Sequence, residues 1–210
     1  MNMFLRYVRE NWADLLVFTG QHIMMVLIGL LLALAVGIPL GILASRNRAS
    51  ARIILTAANI VQVFPSLALL VLLMVVFGLG TTTVVVGLFL YSLLPVIRNT
   101  FVGLTQVDKS IMEAGKGVGM SRMQIMVQVQ LPLALPFMLT GIRIAAVIAI
   151  GVATIAPLVG GDGLGREIYS GINMNNSARL YAGAIPAAIL ALLADFALER
   201  LQNRAKVAGR

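Results

Sequence analysis

The chain has 210 residues, 60% of them hydrophobic and 11% charged, with a mean hydropathy of +0.96, whereas a soluble domain carries roughly 25% charged residues. It contains no cysteine and a single histidine, His22, which excludes disulfide frameworks, thiolate metal sites and histidine clusters. The formal net charge of +8 does not point to nucleic acid, because the basic residues punctuate apolar runs instead of gathering on a soluble face with aromatic partners.

In chain order, the opening MNMFLRYVRENWADLL has no short apolar core followed by a small-residue cleavage site, so no removable signal peptide is expected. Residues 1–19 read as an extracytoplasmic segment in which Tyr7 and Trp12 act as interface anchors. A helix needs about 20 mostly apolar residues to cross the hydrocarbon core, where lipid offers its backbone no hydrogen bonds. Five segments meet this criterion, at about 20–44, 53–77, 82–104, 133–159 and 180–200. The expected fold is therefore all-α, a polytopic membrane protein with about five transmembrane helices and no nucleic-acid partner. His22, near the outer end of the first span, is expected at the interface.

Basic loops are retained on the cytoplasmic side. Of the 16 Lys and Arg residues, twelve fall on one side (around 46–52, 98–122, 143 and 200–210) and four on the other, Arg6, Arg9, Arg166 and Arg179. This split places the N-terminus outside and the C-terminus inside, with residues 201–210 as a basic cytoplasmic tail. Residues 45–52 then form a cytoplasmic turn, 78–82 a tight external one, and 160–179 an external loop rich in Gly and Asn.

The stretch 105–132 is a long cytoplasmic loop with helix-like spacing in Ile111, Met112, Met123, Ile125, Met126 and Val129. An amphipathic helix resting on the membrane surface would give the same periodicity. The loop also reads Glu113-Ala114-Gly115, Gly119, then Val129-Gln130-Leu131-Pro132. Its small residues would let another surface approach the backbone closely, and Pro132 is expected to end the loop helix before the next span. Gly115 makes helix continuity costly by about 1 kcal/mol relative to Ala.

This pattern resembles the loop signature of permeases from bacterial ABC importers: Glu-Ala-Ala, a Gly at the fourth place after the triplet, then an aliphatic residue and Leu-Pro. The resemblance implies the type I ABC importer permease architecture, in the bacterial cytoplasmic membrane. It implies a coupling helix at Glu113, Ala114, Gly115, Gly119, Leu131 and Pro132 that docks onto an ATP-binding subunit. It also implies an extracytoplasmic substrate-binding protein and a second permease subunit, identical or paralogous, as further partners beside membrane lipid. The runs FPSLALLVLLMVVFGLGTT, LFLYSLLPVIRNTFVGL and LPLALPFMLTGIRIAAVIAIGVATIAPLVGGDGLG are similar to the osmoprotectant branch, importers of glycine betaine, choline and carnitine; a permease for another small solute such as an amino acid is the neighbouring alternative.

Within the spans, Tyr91 and Phe89 are the aromatic pore candidates, and Arg98 and Asn99 either line the inner mouth or, for Arg98, reach the headgroups. Arg143 is expected to be structural, paired with Asp195 or with a loop carbonyl, in preference to standing in the path where it would repel a cationic substrate. Asp195 and Glu199, at the inner end of the last span, are expected to form interfacial ion pairs with basic cytoplasmic residues. The glycine-dense 157–165 cannot continue as an ordinary helix; by the resemblance, Gly160, Gly161, Gly163 and Gly165 border the external gate. No Gly-x-x-x-x-Gly-Lys-Ser/Thr is present, so no ATP site, no enzymatic activity and no cofactor are expected in this chain. A stand-alone secondary transporter and a membrane scaffold are the rival classes; no clear internal repeat or midplane acid favours the former.

Overall fold

The computed structural model describes residues 2–208. A short helix, α1 (Asn2–Glu10), precedes α2 (Trp12–Arg46), which runs for 35 residues through Pro39. The first span thus begins well before residue 20. That extension carries His22 into the bundle, where it is fully buried, with Nε2 3.2 Å from the Ile150 carbonyl, so it does not sit at the interface. Trp12 remains exposed at the start of α2.

The second apolar stretch is not one straight span. It is divided into α3 (Arg48–Val63), capped by the Asn47 side chain, and α4 (Ser66–Phe77), which meet at 98°. Pro65 removes a backbone donor and disfavours helical geometry in the residue before it, and Phe64 is accordingly extended, at φ −64°, ψ 134°.

Helix α5 (Thr81–Thr105) occupies the centre, with α2 on one side and α8 (Leu131–Ala153) on another; α10 (Ser177–Ala208) packs on α8. The α2–α5 seam is close because glycines on α2 face larger side chains on α5. A Cβ at Gly41, for example, would lie 2.5 Å from the Thr100 Cβ. Small residues do this in membranes because lipid offers no hydrophobic drive between helices, leaving backbone approach and van der Waals contact to hold them. The core is built around Val84, Leu88, Leu70 and Ala149, while Leu31, Leu72, Val75 and Leu192 stay exposed on the outer surface.

Four helices are long and apolar enough to cross a membrane, Trp12–Arg46, Thr81–Thr105, Arg122–Ala153 and Ser177–Ala205, and the bent pair supplies a fifth. The loop between α5 and the Arg122–Ala153 helix contains α6 (Lys109–Gly117), and that helix opens with α7 (Arg122–Gln124). Pro132 does not end this loop helix. The chain runs from α7 through a π-helical turn, Ile125–Gln130, straight into α8. The wider turn, in which the Leu131 N–H reaches the Met126 carbonyl, relieves the clash a proline ring makes with the carbonyl four residues earlier.

The fourth span ends at Ala153, short of residue 159; a 3₁₀ turn, Ala156–Val159, follows it. The 160–179 stretch is not merely irregular, since it holds α9 (Gly165–Asn173), packed on α10. Helix α10 continues through the described part of the basic tail, to Ala208.

Candidate functional site

The loop between α5 and α8 folds as a self-contained unit. Asp108 caps α6, its carboxylate accepting the Ser110 N–H at 2.9 Å, and hydrogen bonds from the Ser110 backbone and hydroxyl hold this carboxyl below its ordinary pKa. Gly115 does not break α6. It is buried, and a Cβ there would meet the Ile125 Cγ1 and Met120 Sδ at 3.4 Å, so the small residue seats α6 against the start of the next helix. Gly119 ends the unit in left-handed geometry at φ +85°, with the Met120 N–H returning to the Gly115 carbonyl at 3.0 Å. This is the glycine-closed helix terminus that a residue with a Cβ adopts only at a cost. Ser121 and Gln124 then form a reciprocal capping box at the start of α7.

What remains outside is a bare face. Glu113, Ala114, Gly117 and Val118 are exposed, Val118 at 80%. They lie on the side of α6 away from Met112, Gly115 and Lys116, as the 100° step per residue requires. Leu131 packs beside Leu104, Ala134 and Met138, while Pro132 is exposed. The six loop residues singled out from the sequence therefore divide: Glu113, Ala114 and Gly119 are presented outward, Gly115 and Leu131 hold the loop to the body, and Pro132 sits where the π-helical turn joins α8.

Tyr91 is enclosed within the chain, at 7% exposure, and its hydroxyl donates to the Phe64 carbonyl. Its own carbonyl has lost its helical partner because Pro95, four residues on, has no N–H. The Gln62 amide nitrogen supplies the missing donor at 3.1 Å. Tyr91 thus pins the elbow at Phe64–Pro65 to α5 through both ends of the residue. Phe89 is half-buried, Arg98 is exposed, and Asn99 donates to the Pro95 carbonyl while packing on Gly141 of α8.

At the C-terminal end of α8, the glycines allow stretches of backbone to touch. Gly160 (φ +79°) lies over the 78–80 turn, whose Gly80 N–H donates to the Val159 carbonyl at 2.9 Å. Gly161 abuts Val84, Gly163 (φ +100°) abuts the His22 backbone, and Gly165 abuts the Thr154 carbonyl. The four glycines join α2, α5 and α8 in a closely packed plug.

Two ion clusters complete the picture. In the bundle, the Arg143 Nε and Nη2 donate to Asp195 at 2.5 and 2.6 Å, with Glu199 at 3.3 Å, which realises the expected pair between α8 and α10. Outside it, Glu167, only 3% exposed, accepts two hydrogen bonds from Arg179, at 3.0 and 3.1 Å, and one from the Tyr7 hydroxyl at 2.5 Å. Burial, reinforced by the hydrogen bond to Glu167, pushes the Tyr7 phenol up to about 12. This second cluster is invisible to motif reading, because 160 positions separate Tyr7 from Glu167 and no short motif spans them.

An all-helical, multi-span chain that projects a folded, partly bare loop from between two spans has the form of a membrane subunit actuated by another protein. The chain belongs to the family of binding-protein-dependent transport system inner membrane components, whose family model matches residues 37–207. It is 44% identical over 198 residues to the glycine betaine/carnitine/choline transport system permease protein OpuCD of Bacillus subtilis, covering 94% of this chain and 86% of the relative. It is 39% identical over 204 residues to the carnitine transport permease protein OpuCB of Listeria monocytogenes, covering 97% and 94%. Among solved structures, a chain of the inward-facing MetNI methionine ABC transporter matches with a TM-score of 0.80 at 25% identity, over 91% of this chain and 96% of that one.

Proposed function

We propose that this chain is the pore-forming permease subunit of an ATP-driven importer that carries a small quaternary-ammonium osmoprotectant such as glycine betaine, choline or carnitine into the cell. The names of its relatives in Bacillus and Listeria support the substrate class. The observation that carries the mechanism is the bare outer face of α6, seated at the foot of a helix that continues unbroken from Arg122 to Ala153.

In this reading the N-terminus is outside, the C-terminus inside, and the path lies between two permease subunits. Glu113, Ala114 and Gly119 meet an ATP-binding subunit, whose closure displaces α6. Gly115 passes the displacement to Ile125, and the rod from 122 to 153, about 48 Å long at 1.5 Å per residue, carries it to the outer plug at Gly160, Gly161, Gly163 and Gly165. Tyr91 fixes the elbow while α8 moves; Arg98 and Asn99 stand near the inner mouth. Rigid-body rocking of this kind is an established mode of switching between open states. Selectivity rests chiefly with an extracytoplasmic binding protein, because this chain places few aromatic faces where a cage for a trimethylammonium group would need them.

The test is ATP-dependent uptake of labelled glycine betaine, with choline and carnitine as competitors, in cells lacking other osmoprotectant importers and expressing the permease with its partner subunits. Uptake that is lost in Glu113→Lys and Gly119→Leu, with the permease still in the membrane, is the expected result. Full uptake by both variants would remove the coupling role. Uptake of an amino acid instead of all three compounds would move the chain to the neighbouring substrate class.

A further inference from the structure

A cavity of about 780 Å³ opens where α2 ends and the 122–153 helix begins. Because these two helices run through the bundle in opposite senses, the last residue of one, Arg46, and the first of the other, Arg122, lie at the same face of the membrane. Lys116 of α6 completes the rim. None of these three cations has an ion-pair partner among the described residues, and no Asp or Glu lines the cavity. Its floor is apolar, formed in part by Ile42, Met126 and Leu131.

We propose that this cavity binds an acidic glycerophospholipid of the surrounding leaflet, its phosphate among Arg46, Lys116 and Arg122 and the upper part of an acyl chain along Ile42, Met126 and Leu131. A solvated basic face would need no apolar floor, and a purely apolar gap between helices would not gather three unpaired cations at headgroup level. Basic pockets between helix ends are the chemistry that holds anionic headgroups. The docking face of α6 is the opposite one, bearing Glu113 and Val118, so a soluble partner on that face leaves the cavity open to the bilayer. The lipid wedges the loop against α2 and sets the resting position of α6. This inference rests on the proposed docking of a partner at the Glu113 face and on the membrane level of the helix ends; its test reads lipid directly and is separate from that of the transported substrate.

The test is native mass spectrometry of the permease with its partner subunits, released from nanodiscs of phosphatidylglycerol mixed into phosphatidylcholine. The wild type retains phosphatidylglycerol in preference to phosphatidylcholine. Arg46→Gln, Lys116→Gln and Arg122→Gln together reduce that retention by on the order of a hundredfold, each cation contributing about a fivefold preference. Arg48→Gln with Arg52→Gln, which removes two nearby cations outside the cavity, leaves it unchanged. Arg122→Lys, which keeps the charge, guards against loss of folding and retains the lipid. Equal loss from the 48/52 pair would reduce the effect to general surface attraction, and unchanged retention in the triple variant would overturn the site. Displacement of the lipid when the ATP-binding subunit assembles would assign the three cations to that partner, which also overturns it.

Discussion

The two ends of α8 are finished in opposite ways. At the C-terminal end, Glu167 is met by Arg179 and Tyr7, the Val159 carbonyl by Gly80, and the glycine plug by the backbones around it. At the N-terminal end, Glu113, Lys116 and Arg122 have no ion-pair partner among the described residues, and one face of α6 is bare. The loop is shaped by local devices, a side-chain cap, a glycine terminus and a capping box, and is seated on the body through Gly115 and Leu131. A region closed on itself is built for stability, and one ordered internally yet unsatisfied outwardly is built for contact.

The sharpest way to break this contrast is at Glu167. Glu167→Ala leaves the Arg179 guanidinium without its carboxylate and is expected to destabilise the protein by about 3–5 kcal/mol, read as a large drop in the unfolding temperature of the detergent-solubilised protein. Glu167→Gln, which still accepts from Tyr7, should fall less. If Glu167→Ala melts like the wild type, the C-terminal end is not held by its buried pair. At the N-terminal end the balance reverses: Glu113→Lys should move the unfolding temperature little, since an exposed charge away from special contacts changes stability by about 0.5 kcal/mol or less, while the ATPase of the assembled complex loses its response to substrate.

A smaller effect is expected at the elbow. Tyr91→Phe deletes the hydroxyl that reaches the Phe64 carbonyl, at a net cost of about 1 kcal/mol, and hydrogen exchange at the amides around residue 64 should speed up more than in the rest of α5. A pH response is expected at the Tyr7–Glu167 clamp. The Tyr7 phenol stands near 12 in the folded chain, above its ordinary value of 10. Its contribution is complete below pH 10, where the phenol is protonated in both states. It is lost as pH rises through 12, because the unfolded chain gives up the proton first. Tyr7→Phe should flatten that alkaline part of the stability curve and lower stability at neutral pH as well, where the hydrogen bond to Glu167 is fully made.

Much of this was legible in the residues. Apolar runs long enough to span gave the all-helical membrane fold, and the spacing from Glu113 to Pro132 gave the loop and its family. The pairing of Arg143 with Asp195 followed from the cost of a lone charge in hydrocarbon. What escaped has a common physical cause. Hydropathy reports composition and not direction, so 53–77 looked like one span although Pro65 turns it by 98°. Pro132 looked like a stop because proline breaks an α-helix, yet a turn of π-helix accommodates it. His22 and Tyr7 were read as interfacial because their partners, the Ile150 carbonyl and Glu167, are distant in sequence and visible only once the helices are packed.

That separation bears on how the protein is made. The α6 unit closes within a short stretch: Gly115 meets Ile125, and Met120 returns to Gly115. Loops this local close early and fast, so the bare face of α6 is complete while α10 is still unsynthesised. The Glu167 clamp needs Tyr7, Glu167 and Arg179, from the first helix, from α9 and from the start of α10. It is the final latch of biogenesis, shut only when the last helix has been threaded, and a truncated or mis-threaded permease carries a finished α6 face but an open latch.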